Sequence, residues 1–315
     1  MTTTTPARPA RTGPPAAVRA PAGPLRASTR VPLWLAVPAL VSLLVTAGYP
    51  AVAGVALAFT DSSLARPLRA FAGFDNFVAA AESVAFGGSL LRSARFAVLA
   101  TALGLVAGVA AALALHARGG RFGLLGAVLL LPMVTPPVSV GVAWKLLLAP
   151  VGGALTGLWD ALGVPGFNPL GSGPGAFATL VLIHTWQWTP LVTLLVFAAL
   201  LGVPDELREA AALDGAGWWR TLRSVVAPVV APTVVAAAVL QLVIAFKVFD
   251  LVTVVTAGGP GVSTIVASFE VFRTAFRGSF EVGTAAAETL VLGVLVGLAL
   301  GVAGLVTRRV RGADE

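Results

Sequence analysis

Long apolar runs separated by shorter polar stretches set the pattern of this 315-residue chain. Six runs stand out: Leu33–Phe59, Ala94–Leu115, Leu124–Leu148, Ala176–Leu201, Thr233–Ala257 and Val282–Val306. At 1.5 Å per residue each is long enough to cross about 30 Å of hydrocarbon. The pattern predicts an all-α polytopic membrane protein with six transmembrane helices. Pro38, Pro50, Pro132, Pro136, Pro137 and Pro190 fall inside the runs. Membrane bundles tolerate such breaks because neighbouring helices and water satisfy the freed backbone groups.

The polar stretches differ in kind. Residues 1–31 are rich in Thr, Pro, Ala and Arg, and carry five Arg and no acid. That composition cannot bury enough apolar surface to fold, so it reads as a disordered tail. The run after it is too long for the apolar region of a signal peptide, about 7–15 residues, and predicts an uncleaved first helix. Residues 32–309 are then expected to form the six-helix transmembrane domain, with a loop at about 202–232, and 310–315 a short C-terminal tail.

Residues 202–232 form a polar insert between two spans. Pro204 suits a helix start, where its missing N–H costs nothing. Asp205 and Glu206 favour the positive end of the helix dipole. Ala210, Ala211 and Ala212 propagate the helix with small side chains, and Gly215 stops it by taking positive φ. A second short helix follows at about Gly217–Val225, and the next span begins near Pro228 and Pro232. Two short helices joined by a glycine turn suit contact with another protein. The competing reading is an interfacial connector with Trp218 and Trp219 anchored at headgroup level.

Charge adds an orientation. Charged residues make up 11% of the chain and apolar residues 57%, against about 25% charged in soluble domains. Of the 21 basic residues 19 are Arg, and they sit at the ends of apolar runs. Thirteen lie on one side: Arg8, Arg11, Arg19, Arg26, Arg30, Arg118, Arg121, Arg208, Arg220, Arg223, Arg308, Arg309 and Arg311. Six lie opposite: Arg66, Arg69, Arg92, Arg95, Arg273 and Arg277. This bias predicts cytoplasmic termini and a cytoplasmic 202–232 loop in a multi-pass plasma-membrane protein. A basic face on a folded soluble domain, needed for nucleic acid, is absent from the pattern.

The stretch Glu209-Ala-Ala-Ala-Leu-Asp-Gly215, followed ten residues later by Val225-Val-Ala-Pro228, resembles the E-A-A-x3-G-x9-I-x-L-P signature of permease subunits of ABC importers. Val225 replaces Ile and Ala227 replaces Leu. From about Leu33 to Arg309 the chain is similar to the sugar and sn-glycerol 3-phosphate permeases of binding-protein-dependent importers. The likeness extends to Phe71-Ala-Gly-Phe-Asp-Asn-Phe77, Leu131-Pro-Met-Val-Thr-Pro-Pro137, Val142-Ala-Trp-Lys-Leu-Leu-Leu148 and Trp186-Gln-Trp-Thr-Pro190. Ala245-Phe-Lys-Val-Phe-Asp-Leu251 with Thr256-Ala-Gly-Gly-Pro-Gly261 is the most specific passage after the insert. The resemblance implies docking of an ATPase on Glu209, Ala210, Ala211, Asp214 and Gly215. It also implies a second permease, usually a different chain, two ATPase subunits that hydrolyse ATP, an extracytoplasmic solute-binding protein and surrounding lipid. The cargo it implies is a carbohydrate or related polyol, with a non-sugar solute as the alternative.

The residues agree on the division of labour. No G-x4-G-K-[ST] phosphate loop occurs, so ATP hydrolysis is not expected in this chain and no cofactor is expected of it. No His, Asp or Glu cluster has metal-ligand spacing, cysteine is absent, and no Ser/His/Asp set suggests catalysis. Charges at membrane depth usually face a cavity or a partner. Candidates for the solute path are therefore Lys247 and Asp250, three apart and expected on one helix face, with Gln241, Trp186, Gln187 and Glu288. Each has a plainer reading: Lys247 and Asp250 as a pair locking two helices, and Trp186 as an interfacial anchor. His184 alone offers little as a proton relay. An ion-gradient-driven transporter would need paired repeats and membrane carboxylates, and only Asp250 and Glu288 offer the latter.

Overall fold

Apolar length becomes helix length in a computed structural model of the chain, which describes residues 33–119, 123–278 and 280–311. The tail read at 1–31, Arg121 and residues 312–315 lie outside the described residues. The chain divides into two compact units, 1–50 and 51–315. The first, as far as described, holds a 3-10 turn (Leu33–Ala36), α1 (Val37–Leu43) and a π-helical turn (Leu44–Gly48), and ends in the first residues of α2 (Tyr49–Ala58).

The rest of α2 opens the second unit. A short antiparallel hairpin follows, β1 (Thr60–Ser63) and β2 (Arg66–Phe71), pairing Thr60 with Phe71 and Ser63 with Arg66. This hairpin departs from the all-helical expectation, which had only a loop here. Asn76 explains its seating. The Asn76 amide donates to the Ala58 and Thr60 carbonyls at 3.0 and 2.9 Å, and its oxygen accepts from Thr284 Oγ1 at 3.3 Å. After α3 (Asp75–Glu82), Ser83 caps the 34-residue α4 (Val84–Ala117) by accepting from the Phe86 N–H. Then come α5 (Gly123–Val134), α6 (Pro137–Leu147), α7 (Thr156–Ala161) and α8 (Gly173–Leu201). The loop helices α9 (Asp205–Leu213) and α10 (Trp218–Thr221) lead through a π-helical turn (Leu222–Val226) into α11 (Ala227–Phe246). The chain ends with α12 (Asp250–Val255), α13 (Ala267–Phe276) and α14 (Val282–Arg311).

Five helices are long and apolar enough to cross a membrane: Val37–Ala58, Val84–Ala117, Gly173–Leu201, Trp218–Phe246 and Val282–Val302. The run read as one straight span at Leu124–Leu148 is two helices bent by 99°, Gly126–Val134 and Pro137–Leu147, so a sixth crossing requires counting that pair as one broken span. The run read as Thr233–Ala257 also differs. Its helix starts earlier, at Trp218, and stops at Phe246. The expected second loop helix is therefore the first turn of that span.

Two larger apolar clusters hold most of the bundle, and a small one joins Ala80, Phe86 and Ala267. Of the larger two, one joins Phe96 and Ala100 of α4 to Leu180 and Ile183 of α8, Leu251 and Val252 of α12, and Phe269 of α13. The other joins Ala112 and Leu115 of α4 to Val196 and Leu200 of α8 and Val226 and Val230 at the start of α11. Glycines let α4 close on its neighbours. A Cβ at Gly108 would lie 2.5 Å from Val192 Cβ, and one at Gly104 would lie 2.9 Å from Gln241 Nε2. The ladder Gly293, Gly297 and Gly301 on α14 meets nothing within 4 Å of such an atom among the described residues.

Candidate functional site: a broken-helix cavity and a capped loop

Two helix breaks face one another across the second unit. The first follows from Pro136 and Pro137. A residue before proline is pushed out of the α region, and Pro136 sits at φ −55°, ψ 137° while Pro137 starts α6. Thr135 is thereby left with a carbonyl that no helix turn uses. The Gln187 amide donates to that carbonyl at 3.2 Å from a fully enclosed position on α8. The second break separates α11 from α12, where Lys247 (φ −90°, ψ 7°) and Phe249 (φ −135°, ψ −58°) leave helical geometry. The Lys145 ammonium on α6 donates to the Val254 carbonyl at 3.0 Å, tying the two broken elements together. The Ser268 hydroxyl donates to the Val248 carbonyl freed at the second break.

Between the breaks lies a cavity of about 230 Å³. Its polar lining is His184, Gln187 and Trp188 from α8, with Lys247 and Asp250 from the second break. His184 is buried, and its Nε2 has no hydrogen-bond partner among the described residues. Its ring meets Phe96 edge-on at 5.2 Å, which fixes its orientation. A cavity that offers donors, an acceptor carboxylate and an aromatic ring suits a polyhydroxylated solute. Irregular backbone at membrane depth is tolerated where it lines such a cavity, and transporters place their solute sites there.

Three predicted path residues converge here: Gln187, Lys247 and Asp250. Lys247 and Asp250 do not share a helix face, because the break falls between them, and no ion pair joins them among the described residues. The others lie elsewhere. Trp186 points away from the cavity, 46% exposed, with its ring 5.5 Å from that of Trp144. Gln241 is wholly enclosed against Gly104, with neither amide atom partnered among the described residues. Glu288 is buried on α14 beside Thr274 and Glu270 of α13, away from Lys247. Helical periodicity explains Trp186: residues 184, 187 and 188 fall on one face of α8, and 186 does not. The same spacing singles out His184, which sequence reasoning had set aside, and puts Trp188 beside it.

The loop at 202–232 carries the second feature. Pro204 is the residue before α9 rather than its first turn, and the helix starts at Asp205. Its end is a Schellman cap. Gly215 takes φ +72°, its N–H donates to the Ala212 carbonyl at 3.0 Å, and the Ala216 N–H donates to the Ala211 carbonyl at 2.9 Å. Glu209, Ala210 and Asp214 are exposed. Ala211 is not: it is buried, so its small side chain lets α9 sit on the bundle and offers no docking contact. Arg208 also turns inward, donating from Nη2 to the Leu200 carbonyl at 3.1 Å. Sequence reasoning read Trp219 only as a headgroup anchor and did not name Leu213. Leu213 is 89% exposed and Trp219 74% exposed, beside Glu209 and Asp214 on the same loop.

Membrane-crossing helices that break around a polar cavity, with a rigidly capped loop at one end, define a solute-translocating membrane subunit. The chain belongs to the family of binding-protein-dependent transport system inner membrane components, whose model matches residues 100–312. It is 31% identical to the trehalose/maltose transport system permease protein MalF of Thermococcus litoralis, over 70% of this chain and 74% of that protein. It is also 31% identical to the sn-glycerol-3-phosphate transport system permease protein UgpA of Escherichia coli O157:H7, over 72% of this chain and 76% of that protein. Among solved structures, a bacterial ABC transporter involved in the import of the acidic polysaccharide alginate superimposes with a TM-score of 0.76. That match covers 88% of this chain and 96% of the other at 20% identity, and so speaks for the fold.

Proposed function

We propose that this chain is a permease subunit of an ATP-driven importer and forms part of the path for a carbohydrate or related polyol. The observation that carries the reading is the cavity between two helix breaks, where His184, Gln187 and Trp188 of α8 meet Lys247 and Asp250. The names of the MalF and UgpA relatives support a hydroxylated solute. At about 230 Å³ the cavity is smaller than the roughly 300–1,000 Å³ of ligand sites for drug-sized molecules. A second permease subunit, a different chain, completes it. The exposed surface of Glu209, Ala210, Leu213 and Asp214 receives an ATPase subunit, and an extracytoplasmic binding protein delivers the solute. ATP is hydrolysed by the partner, and this chain catalyses nothing. With the bent pair α5–α6 counted as one span there are six crossings, and the arginine bias places the termini and the 202–232 loop in the cytoplasm.

Lys247 lends weight to a second reading within the same class. It is an exposed cation at the cavity without an ion pair among the described residues, which suits an anionic saccharide or polyol phosphate.

Lys247→Ala tests both. The complex is reconstituted into liposomes with its ATPase and binding protein, and uptake is measured against solute concentration. The expected result is normal assembly with kcat/KM lowered roughly tenfold, the scale of one charge-assisted hydrogen bond. A loss confined to anionic solutes selects the second reading. Unchanged kinetics for every solute the binding protein accepts would remove Lys247 from the path.

A further inference from the structure

A second cleft lies at the end of the bundle nearest the 202–232 loop and shares no lining residue with the proposed solute cavity. Its outer part, about 350 Å³, is lined by His116 of α4, Arg208 of α9, and Trp218 and Thr221 of α10. Its inner part, also about 350 Å³, is a trough between α4, α8 and α11 whose walls are almost wholly Val, Leu and Ala. The two parts are continuous, sharing Leu113, Leu200, Leu222 and Val226. From Leu222 to Val234 the trough follows 12 residues of helix, about 18 Å at 1.5 Å per residue. One leaflet of a 30 Å hydrocarbon core is about 15 Å deep.

The polar end points to an anion. Arg208 donates to the Leu200 carbonyl through Nη2 and meets Asp205 at 3.6 Å through Nη1, on a carboxylate that is itself 85% exposed. A guanidinium has five N–H donors, so donors remain for a further acceptor. The Nδ1 of His116 is buried with no hydrogen-bond partner among the described residues. Trp218 lines the cleft and is largely exposed, as indoles are at headgroup level, and Arg118, Arg220 and Arg223, close in the chain to lining residues, are exposed. A soluble anion accounts for the polar end but not for the trough. A solute hydroxyl finds no partner in a trough of Val, Leu and Ala.

We propose that this cleft binds one anionic phospholipid, with its phosphate on Arg208 and His116 and an acyl chain along the Leu222–Val234 trough. Basic pockets between transmembrane helices are a known form of headgroup site. Because Arg208 belongs to the loop helix and the trough to the bundle, the lipid joins the two and steadies α9 against them.

The test is lipid retention by the purified full-length protein. Native mass spectrometry is run after exchange into detergent containing either phosphatidylglycerol or phosphatidylcholine, for the wild type and for Arg208→Gln, Ala231→Phe and Arg66→Gln. The expected result is one phosphatidylglycerol per chain and only background phosphatidylcholine. Arg208→Gln removes the headgroup contact and Ala231→Phe fills the trough. Each is expected to lower retention roughly tenfold, while Arg66→Gln on the distant hairpin leaves it unchanged. Equal retention of the two lipids, or retention unaffected by Arg208→Gln and Ala231→Phe, overturns the proposal. Displacement of the lipid by inorganic phosphate alone would make the site one for a soluble anion, and displacement by the ATPase subunit would make it part of the docking surface. Either result also overturns it. Should Ala231→Phe fail to fold, the contrast between the two lipids in the wild type and its loss in Arg208→Gln decide the same question.

Discussion

Gly215→Pro is expected to abolish uptake while the protein still inserts in the membrane. Proline is fixed near φ −65°, and Gly215 holds φ +72°. Proline also lacks the N–H that Gly215 donates to the Ala212 carbonyl. Both halves of the Schellman cap are lost, and the end of α9 moves with them. The exposed residues Glu209, Leu213 and Asp214 then no longer stand in a fixed relation to the bundle. If an ATPase grips this surface, the coupling between nucleotide closure and the permease falls by at least roughly tenfold, which a loss of about 1.4 kcal/mol already produces. Gly215→Asn is the control. Asn tolerates the left-handed region and keeps its N–H, so it should retain most of the activity. Glu209→Lys tests the same surface by charge alone, since Glu209 is exposed and its replacement leaves the cap intact. It should impair co-purification with the ATPase and uptake together. Normal uptake by Gly215→Pro and Glu209→Lys would show that the loop is a connector and that energy enters elsewhere.

The sequence made the apolar architecture legible because long hydrophobic runs have few alternatives in a protein of this composition. The loop was legible for a local reason: a proline, two acids, three alanines and a glycine each had one role in starting, extending or stopping a short helix. Where the reading failed, the deciding physics was tertiary. Pro136 and Pro137 read as a tolerated interruption, yet a 99° bend results, because Gln187 is at hand to satisfy the carbonyl that the break releases. No local pattern reveals that partner 52 residues away. Lys247 and Asp250 had helical spacing, but the helix stops between them. Ala211 looked like its neighbours Ala210 and Ala212, and only the packing of α9 on the bundle separates the inward side chain from the outward ones. Gln241, Trp186 and Glu288 were singled out as polar or amphipathic residues in apolar runs. That criterion finds unusual side chains but does not say which face of the helix they occupy.

The close approach of α4 and α8 at Gly108 supplies the sharpest packing test. Gly108→Ala is expected to destabilise the bundle strongly, although alanine is the better helix former by about 1 kcal/mol. The new Cβ would lie 2.5 Å from Val192 Cβ and 2.6 Å from Val192 Cγ1, and 3.2 Å from the Thr189 carbonyl. Rotating Val192 relieves only the Cγ1 contact, because Cβ is fixed by the backbone. The helices α4 and α8 must therefore separate, and both are long and rigid. Overpacking costs up to about 3 kcal/mol in well-filled cores, so the clash outweighs the gain in helix propensity. The expected result is a lower yield of monodisperse protein and a lower melting temperature in detergent, with Gly108→Leu worse than Gly108→Ala. Val192→Ala should not rescue Gly108→Ala, since it keeps the offending Cβ. Val192→Gly should rescue it in part, less the cost of about 1 kcal/mol for glycine within a helix. That contrast separates close packing from a general intolerance of substitution in α4. A Gly108→Ala protein as stable as the wild type would mean that α4 and α8 do not approach as closely as their glycine allows.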